Sequence, residues 1–576
     1  MNRRSFLGTA AAVSAGAVLS ADGCSAFGSL GPVGSSALGY TLRVGYTEKT
    51  IAGYRLRTRT YNGSMLGPIL DVQPGSVFAV TVVNDLPPNP AASPMLAEQT
   101  VRLPHYASMM DAMRGRSSGS VEATGTFDPM NNPHAFNSTN LHVHGLQTIP
   151  HLFDPIGTSD PKAMMLSIEP GASFSYRFPI PADHPCGLHW YHPHHHGATD
   201  VQVSGGMAGG IIVRGPIDAV PEIAAARDIP IIIQSLNVNP SPTDPTLYEY
   251  EPTAYQAPPP QGNGYSLGTA FTLLTVNGEG VAWIDNTNAP QSPVVLAPPQ
   301  IQMRPGEVVR VRILNGTNAW AMPLVLPGMT CYQIGFDGVN LLAPVQSSFD
   351  FTGTVSSANL FSVNVRNTMP GNRIEMLVQA PSTPGTYTLS SAATSNVSFM
   401  PFPKIDLLQF VVSGSPVSMG IPASLPEPTR EYPIITDAEI VTRRTITYDE
   451  GPNPPPGAKL LYTNFYFTID GALYDEMTIN QSPRLDTAEE WTIVNKSPEA
   501  HPFHMHVNSF QLTAINGVKN DPPEVWDTFL VPAAQNGVPG SITFRVRFKE
   551  FGGKSVHHCH ILPHEDTGMM QNILIS

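Results

Sequence analysis

An all-β chain of several sandwich domains is the fold class this sequence predicts, and three observations carry that prediction. Its 576 residues are too many for one hydrophobic core and suit about three domains. Its 58 prolines and 49 glycines cut it into short segments, and the β-branched runs between them, such as Val77–Val83 and Val308–Leu314, read as strands. No long amphipathic helical pattern interrupts them.

The chain is also its own repeat. Tyr61-Asn62-Gly63 leads to Gln73-Pro74-Gly75 and then to Val80-Thr81-Val82-Val83-Asn84. Val276-Asn277-Gly278 leads to Arg304-Pro305-Gly306 and then to Val311-Arg312-Ile313-Leu314-Asn315. Ile469-Asp470-Gly471 leads to Asp486-Thr487-Ala488 and then to Trp491-Thr492-Ile493-Val494-Asn495. Each copy is a turn, a second turn and a strand closed by Asn. Asn-Gly and Asp-Gly favour tight hairpins because positive φ is cheap there. Three such copies predict three related β-sandwiches, over residues 36–216, 217–414 and 434–576, with a Pro-rich linker at 415–433. Residues 101–139 form an irregular insertion carrying Met109, Met110, Met113 and Met130, and residues 239–265 a second long loop rich in Pro and Tyr.

The formal charge of −14, with only 13% charged residues, argues against a nucleic-acid partner. Residues 1–30 read as a targeting segment. Arg3-Arg4-Ser5-Phe6-Leu7 is a twin-arginine pattern, and the apolar run that follows is too short to span a bilayer. A periplasmic or otherwise exported protein handled by the twin-arginine machinery is the expectation, with no transmembrane segment. Cys24 follows Ala21-Asp22-Gly23, a poor lipidation box. An exported protein can keep a disulfide, and Cys186 with Cys331 is the available pair, although spacing alone does not bring their Cα atoms together.

The 18 histidines are clustered. The clusters are His142-Val143-His144-Gly145, His192-Pro193-His194, His501-Pro502-Phe503-His504-Met505-His506, and His558-Cys559-His560 followed by His564 and Met569. At this composition about 0.6 His-x-His pairs are expected by chance, whereas five occur, at 142/144, 192/194, 194/196, 504/506 and 558/560. Strand geometry then assigns faces, because residues i and i+2 point one way and i+1 the other. His142 with His144, His192 with His194, His504 with His506 and His558 with His560 each converge on one side. Cys559 faces away from its neighbours, and His501, of opposite parity to His504 and His506, joins it.

Two His, one Cys and a distant Met make the ligand set of a blue-copper electron-transfer site, supplied here by His501, Cys559, His564 and Met569. Zinc is the alternative, but a structural zinc site takes several thiolates more often, and cysteine is scarce. Eight further histidines without cysteine suit copper that reduces oxygen.

With these motifs the chain resembles the multicopper oxidases, the family of laccases, bilirubin oxidases and bacterial copper-efflux oxidases. The resemblance covers nearly everything after the targeting segment. It is carried by His-x-His-Gly, by Trp190-Tyr191-His192-Pro193-His194, by His-Pro-x-His-x-His, and by His-Cys-His with a His five and a Met ten residues after the Cys. It implies three cupredoxin-like Greek-key sandwiches and four copper ions. His501, Cys559, His564 and Met569 would hold the type 1 copper. His142 and His504 would hold the type 2 copper, and His144, His192, His194, His506, His558 and His560 the type 3 pair. Histidines 105, 134, 151, 184, 189, 195, 196 and 557 are not needed as ligands, and His195 and His196 extend the second cluster as neighbours of it.

The resemblance also implies an electron relay from Cys559 through His558 or His560, with dioxygen reduced to water. Of the two acids the family places near the oxygen site, Glu565 fits one. Asp154 fits the other loosely, one residue late and placed like a turn Asp before Pro155. A laccase-like oxidase of phenols or similar one-electron donors is the leading expectation. The nearest alternative is a metal oxidase acting on cuprous or ferrous ion, since the thioethers of the 101–139 insertion would attract Cu(I). A non-catalytic copper-binding or scaffold protein comes last, because a cysteine flanked by cluster ligands has no purpose in storage.

Overall fold

The computed structural model describes residues 39–89, 130–250, 269–286, 293–395, 402–453 and 465–576, together with the short stretches 99–101, 123–125, 128, 253–256, 263–266, 397, 455–458 and 461. The targeting segment, Cys24, and Met109, Met110 and Met113 of the insertion lie outside the described residues. Among the described residues no α-helix exceeds five residues, and no helix is long and apolar enough to cross a membrane.

The architecture is three cupredoxin-like β-sandwiches in sequence. Each repeats one local design. The hairpin residues Asn62-Gly63, Asn277-Gly278 and Asp470-Gly471 all have φ between 51° and 79°, the backbone that a two-residue type I′ turn requires. In each copy the turn's side-chain oxygen accepts a backbone N–H from the paired strand: Arg43 N to Asn62, Ile232 N to Asn277, and Thr447 N to Asp470.

The Asn that closes the next strand is equally regular. Asn84, Asn315 and Asn495 are all fully buried. Their Nδ2 groups donate to two backbone carbonyls each: Asn137 and Ile168, Trp320 and Thr368, Glu499 and Pro532. A buried amide that satisfies both hydrogens on main chain pins the loop leaving the strand. In the third sandwich that loop leads straight into His501.

The strands expected at Val77 and Val308 run Val77–Asn84 and Val308–Asn315. Alternation of buried and partly exposed positions, clearest along Gly540–Phe548, puts one face of each sheet into the core. The loop expected at 239–265 contains a strand. Leu247–Glu249 lies parallel to Tyr54–Tyr61 and also pairs with Arg227–Pro240, so one continuous 13-stranded sheet runs from the first sandwich into the second. Arg57 reaches Glu249 at 3.2 Å across that junction.

Cys186 and Cys331 are both free thiols. Cys186 packs with Ile217 and Ile223 at the junction of the first two sandwiches, and Cys331 packs inside the second core.

Candidate metal centre

Two short strand pairs carry the histidines. In the first sandwich His142–His144 runs antiparallel to Gly187–His192, with His142 opposite His192. In the third, His501–Met505 runs antiparallel to Gly553–Cys559, with His504 opposite His558 and Phe503 opposite Cys559. The two pairs meet face to face. His142 stacks on His506 and His144 on His504, both with ring centres 3.8 Å apart. None of the twelve side chains singled out as ligands is more than 3% exposed.

The nitrogens converge in groups. His558 Nε2 lies 3.1 Å from His194 Nε2 and 3.2 Å from His506 Nε2. His560 Nε2 lies 3.3 Å from His144 Nδ1, beside His192. His142, His504 and His192 each aim a buried Nε2 inward with no partner. The outer nitrogens of His192, His504 and His558 are fixed: His192 Nδ1 on Pro193 O at 2.8 Å, His504 Nδ1 on Asp527 O at 2.8 Å, and His558 Nδ1 on Cys559 O at 3.0 Å. An imidazole that donates N–H outward to a carbonyl presents its other nitrogen inward as a lone pair, and converging lone pairs want a cation between them. Burial reinforces this by pushing His192 and His504 down to about 3 and His558 to about 4, so all three stay in the neutral, ligand form.

A separate triangle lies on the other face of the strand. Cys559 Sγ is 3.5 Å from His501 Nδ1 and 3.9 Å from His564 Nδ1, and those two nitrogens are 3.4 Å apart. A triangle with edges of about 3.6 Å has its centre ~2.1 Å from each corner, close to a metal–ligand bond length. Ser497 Oγ holds His501 Nε2 at 2.7 Å, and Phe467 stacks on His564 at 3.7 Å. Met569 is fully buried in the same cluster as Cys559, while Met570 turns into a different one with Leu152, Phe153 and Tyr474. Burial pushes the Cys559 thiol well above its usual range, so a thiolate there requires a bound cation.

Two family profiles, both described as multicopper oxidase, match residues 128–217 and 449–576. These spans contain all four histidine segments. A laccase of Bacillus subtilis is 24% identical over 405 residues, 66% of this chain and 69% of that protein. A multicopper oxidase of Staphylococcus aureus is 23% identical and spans 93% of this chain and 88% of its own length. The solved structure of a multicopper oxidase from Campylobacter jejuni, described as a metallo-oxidase, is 22% identical. It covers 94% of this chain and 93% of its own with a TM-score of 0.62.

Residues 128–217 and 449–576 are multicopper oxidase domains.

These matches support an oxidoreductase that uses dioxygen, and the histidine clusters fit copper sites. Around them this oxidase carries a shell of side chains that its motifs did not announce. Glu565 lies beside two of the histidines: Oε1 lies 3.3 Å from His194 Nδ1, Oε2 lies 3.6 Å from His558 Nδ1, and Thr199 Oγ1 donates to it at 3.2 Å. Burial, and then the charge of Asp566, raise its carboxyl well above the ordinary range.

Asp154 is not brought to the cluster. It lies exposed in a surface turn, where its backbone N–H donates to Met164 O. His151 stands beside the first His-x-His pair instead. Its Nδ1 faces Ile149 O at 3.1 Å, and its Nε2 accepts from Val143 N at 3.2 Å and lies 3.1 Å from His142 Nδ1. That arrangement makes His151 the acceptor that holds the His142 Nδ1–H outward.

Asp527 and Thr528 are a second unannounced pair. Asp527 Oδ1 lies 3.3 Å from His144 Nε2, and Thr528 Oγ1 lies 3.2 Å from His144 Nε2 and 3.0 Å from His504 Nδ1. Only the pairing of His504 with Thr528 across the sheet brings them there. Nothing in local spacing marks them. His195 and His196 bond to Ser167 and Asn131, outside the converging groups. Met130 packs near Tyr474.

Proposed function

We propose that this oxidase couples one-electron oxidation of a reducing substrate to the four-electron reduction of dioxygen to water, using four copper ions. His501, Cys559, His564 and Met569 would hold one, His142 and His504 a second, and His144, His192, His194, His506, His558 and His560 a pair. Bound there, copper supplies the one-electron redox steps and the capacity to bind and reduce dioxygen.

The observation that carries the reading is the backbone joining Cys559 to His558 and His560. Strand alternation sends the thiol to one group of nitrogens and the two imidazoles to the other. Electrons taken up on the Cys559 side therefore reach the histidine groups through two covalent links rather than through space. Glu565, with its raised carboxyl 3.3 Å from His194, is placed to hold a proton for the oxygen chemistry. Export, in keeping with Arg3-Arg4, belongs to the same reading.

A laccase-like substrate, a phenol or similar donor, is the first choice, in line with the Bacillus relative's description. Metal-ion oxidation is the second. Glu450 favours it, since its Oε2 lies 3.7 Å from His501 Nε2 and a hard oxygen donor suits ferrous better than cuprous ion. Steady-state turnover of a phenol, Fe(II) and Cu(I), side by side on the copper-loaded protein, separates them. A phenol kcat/KM below those of both metal ions would overturn the laccase-like choice. Absence of oxygen consumption with all three would overturn the oxidase reading.

A further inference from the structure

The second sandwich supplies none of the proposed copper ligands, yet its chain presses directly on them. Gly371 approaches so closely that a Cβ there would lie 2.9 Å from His144 Cε1 and 3.2 Å from His560 Cδ2. Two residues on, Arg373 opens the strand Arg373–Gln379 and is fully buried. Its guanidinium forks onto Asp527 of the third sandwich, Nη1 to Oδ1 at 2.8 Å and Nη2 to Oδ2 at 2.5 Å. Its Nε donates to Leu188 O of the first sandwich at 3.2 Å, and its Nη1 also donates to Gly371 O at 3.0 Å. One side chain thus ties all three sandwiches together at the histidine groups.

Behind it, Asp337 closes the arrangement. Its carboxylate accepts from Arg373 N at 2.9 Å and from Thr528 N at 3.3 Å. In front, Asp527 Oδ1 and Thr528 Oγ1 contact His144 Nε2, while the Asp527 main-chain carbonyl and Thr528 Oγ1, itself bonded to Asp527 Oδ1, contact His504 Nδ1. A buried carboxylate left without a cation would take a proton or turn away. With the bidentate fork in place it is held planar, charged and aimed at His144 Nε2.

Resting on the proposed ligand assignment, we propose that Arg373 is a positioning residue of the site that the type 2 copper and the type 3 pair would share. By clamping Asp527 it keeps His144 Nε2–H and His504 Nδ1–H directed outward, so that His144 presents Nδ1 and His504 presents Nε2 to the metals. The domain without ligands thereby decides which nitrogen two of the ligands offer.

The test compares copper-loaded wild type, Arg373→Met and Arg373→Lys by visible absorption, paramagnetic resonance and retention of copper against a graded chelator. Arg373→Met is expected to keep the blue band of the type 1 site. Its type 2 signal should change hyperfine splitting, and that copper should be lost at roughly tenfold lower chelator concentration, the usual cost of removing a second-layer partner of a metal ligand. Lys restores the charge without the fork and should fall between.

An Arg373→Met protein with an intact blue band, unchanged type 2 splitting and unchanged retention would overturn the proposal. If Arg373→Met loses the blue band as well, Asp527→Asn takes its place. That variant preserves shape and should alter the type 2 signal, and an unaltered signal overturns the proposal too. A wild type with a blue band but no type 2 signal would instead sink the ligand assignment on which the proposal rests.

Discussion

Cys559 Sγ lies 3.5 Å from His501 Nδ1, on the opposite face of its strand from the imidazoles of His558 and His560. The thiol is the one sulfur anion available to that triangle, and thiolate-to-copper charge transfer is the source of a blue colour. Replacing Cys559 by Ser is expected to abolish the blue absorption and the oxidase activity and to lower copper content by one ion per chain. The histidines on the far face should keep theirs. Visible spectra and metal analysis check this, and a Ser variant that stays blue and active contradicts the assignment.

Glu565→Gln should slow turnover without removing copper. The carboxyl touches Nδ1 of His194 and His558, the nitrogens that point away from the converging group, and an amide in its place cannot pass a proton. Stopped-flow reduction of the blue copper should remain fast while reoxidation by oxygen slows. Equal slowing of both half-reactions would mean only that the loop after His564 had been disturbed.

His151 and Asp154 should exchange the importance expected of them. Asp154→Asn, at an exposed turn, is expected to leave turnover and copper retention as they were. His151→Phe removes the acceptor for His142 Nδ1 and Val143 N, and should weaken retention of the type 2 copper by roughly tenfold. Chelator titration of the two variants against wild type decides it. A large effect at Asp154 with none at His151 would reverse the reading.

Met569→Leu should raise the reduction potential of the blue copper and keep its colour. A thioether donates weakly along the axis and favours Cu(II), and the swap conserves volume at a cost under about 1.5 kcal/mol. Met570→Leu should leave the potential alone, because Met570 packs against Leu152, Phe153 and Tyr474 rather than beside Cys559. Redox titration of both variants at the blue band is the check, and a raised potential in Met570→Leu alone would transfer the axial role.

The copper-free protein should lose stability steeply on acidification. Burial pushes His192, His501, His504 and His557 down to about 3, and His151, His184 and His558 to about 4, from an ordinary value of 6.5. Below pH 6.5 the unfolded chain therefore binds protons that the folded chain refuses. Stability is full above that pH and falls as pH drops towards the folded values. Each such histidine contributes a slope of about 1.4 kcal/mol per pH unit. Urea midpoints measured from pH 7.5 to 4.5 should decline throughout the acid half of that range, and copper loading should raise the midpoint at neutral pH, where the imidazoles are free to bind it. A flat profile would show these imidazoles to be solvated.

Much of this protein was decided locally and was legible in the sequence. Asn62-Gly63, Asn277-Gly278 and Asp470-Gly471 all take the positive φ that Asn, Asp and Gly tolerate, so the three copies announce three hairpins. A strand has a period of two, so His-x-His and His-Cys-His declare which side chains share a face before any neighbour is known. Glu565 follows a ligand directly and inherits its place.

What the sequence left open depended on pairing across long separations. His194 meets His558, 364 residues away, only because the first and third sandwiches face each other. Asp527 and Thr528 reach His144 and His504 through sheet register, and Arg373 reaches Asp527 from a sandwich with no ligand motif at all. Asp154 and His151 differ by three positions in one loop, and the path of that loop over the sandwich decides which faces the cluster. Cys186 and Cys331 stay apart because each packs in a different core. Side-chain periodicity is a property of the backbone and travels with the sequence. Contact between distant elements is a property of packing, and only the folded chain contains it.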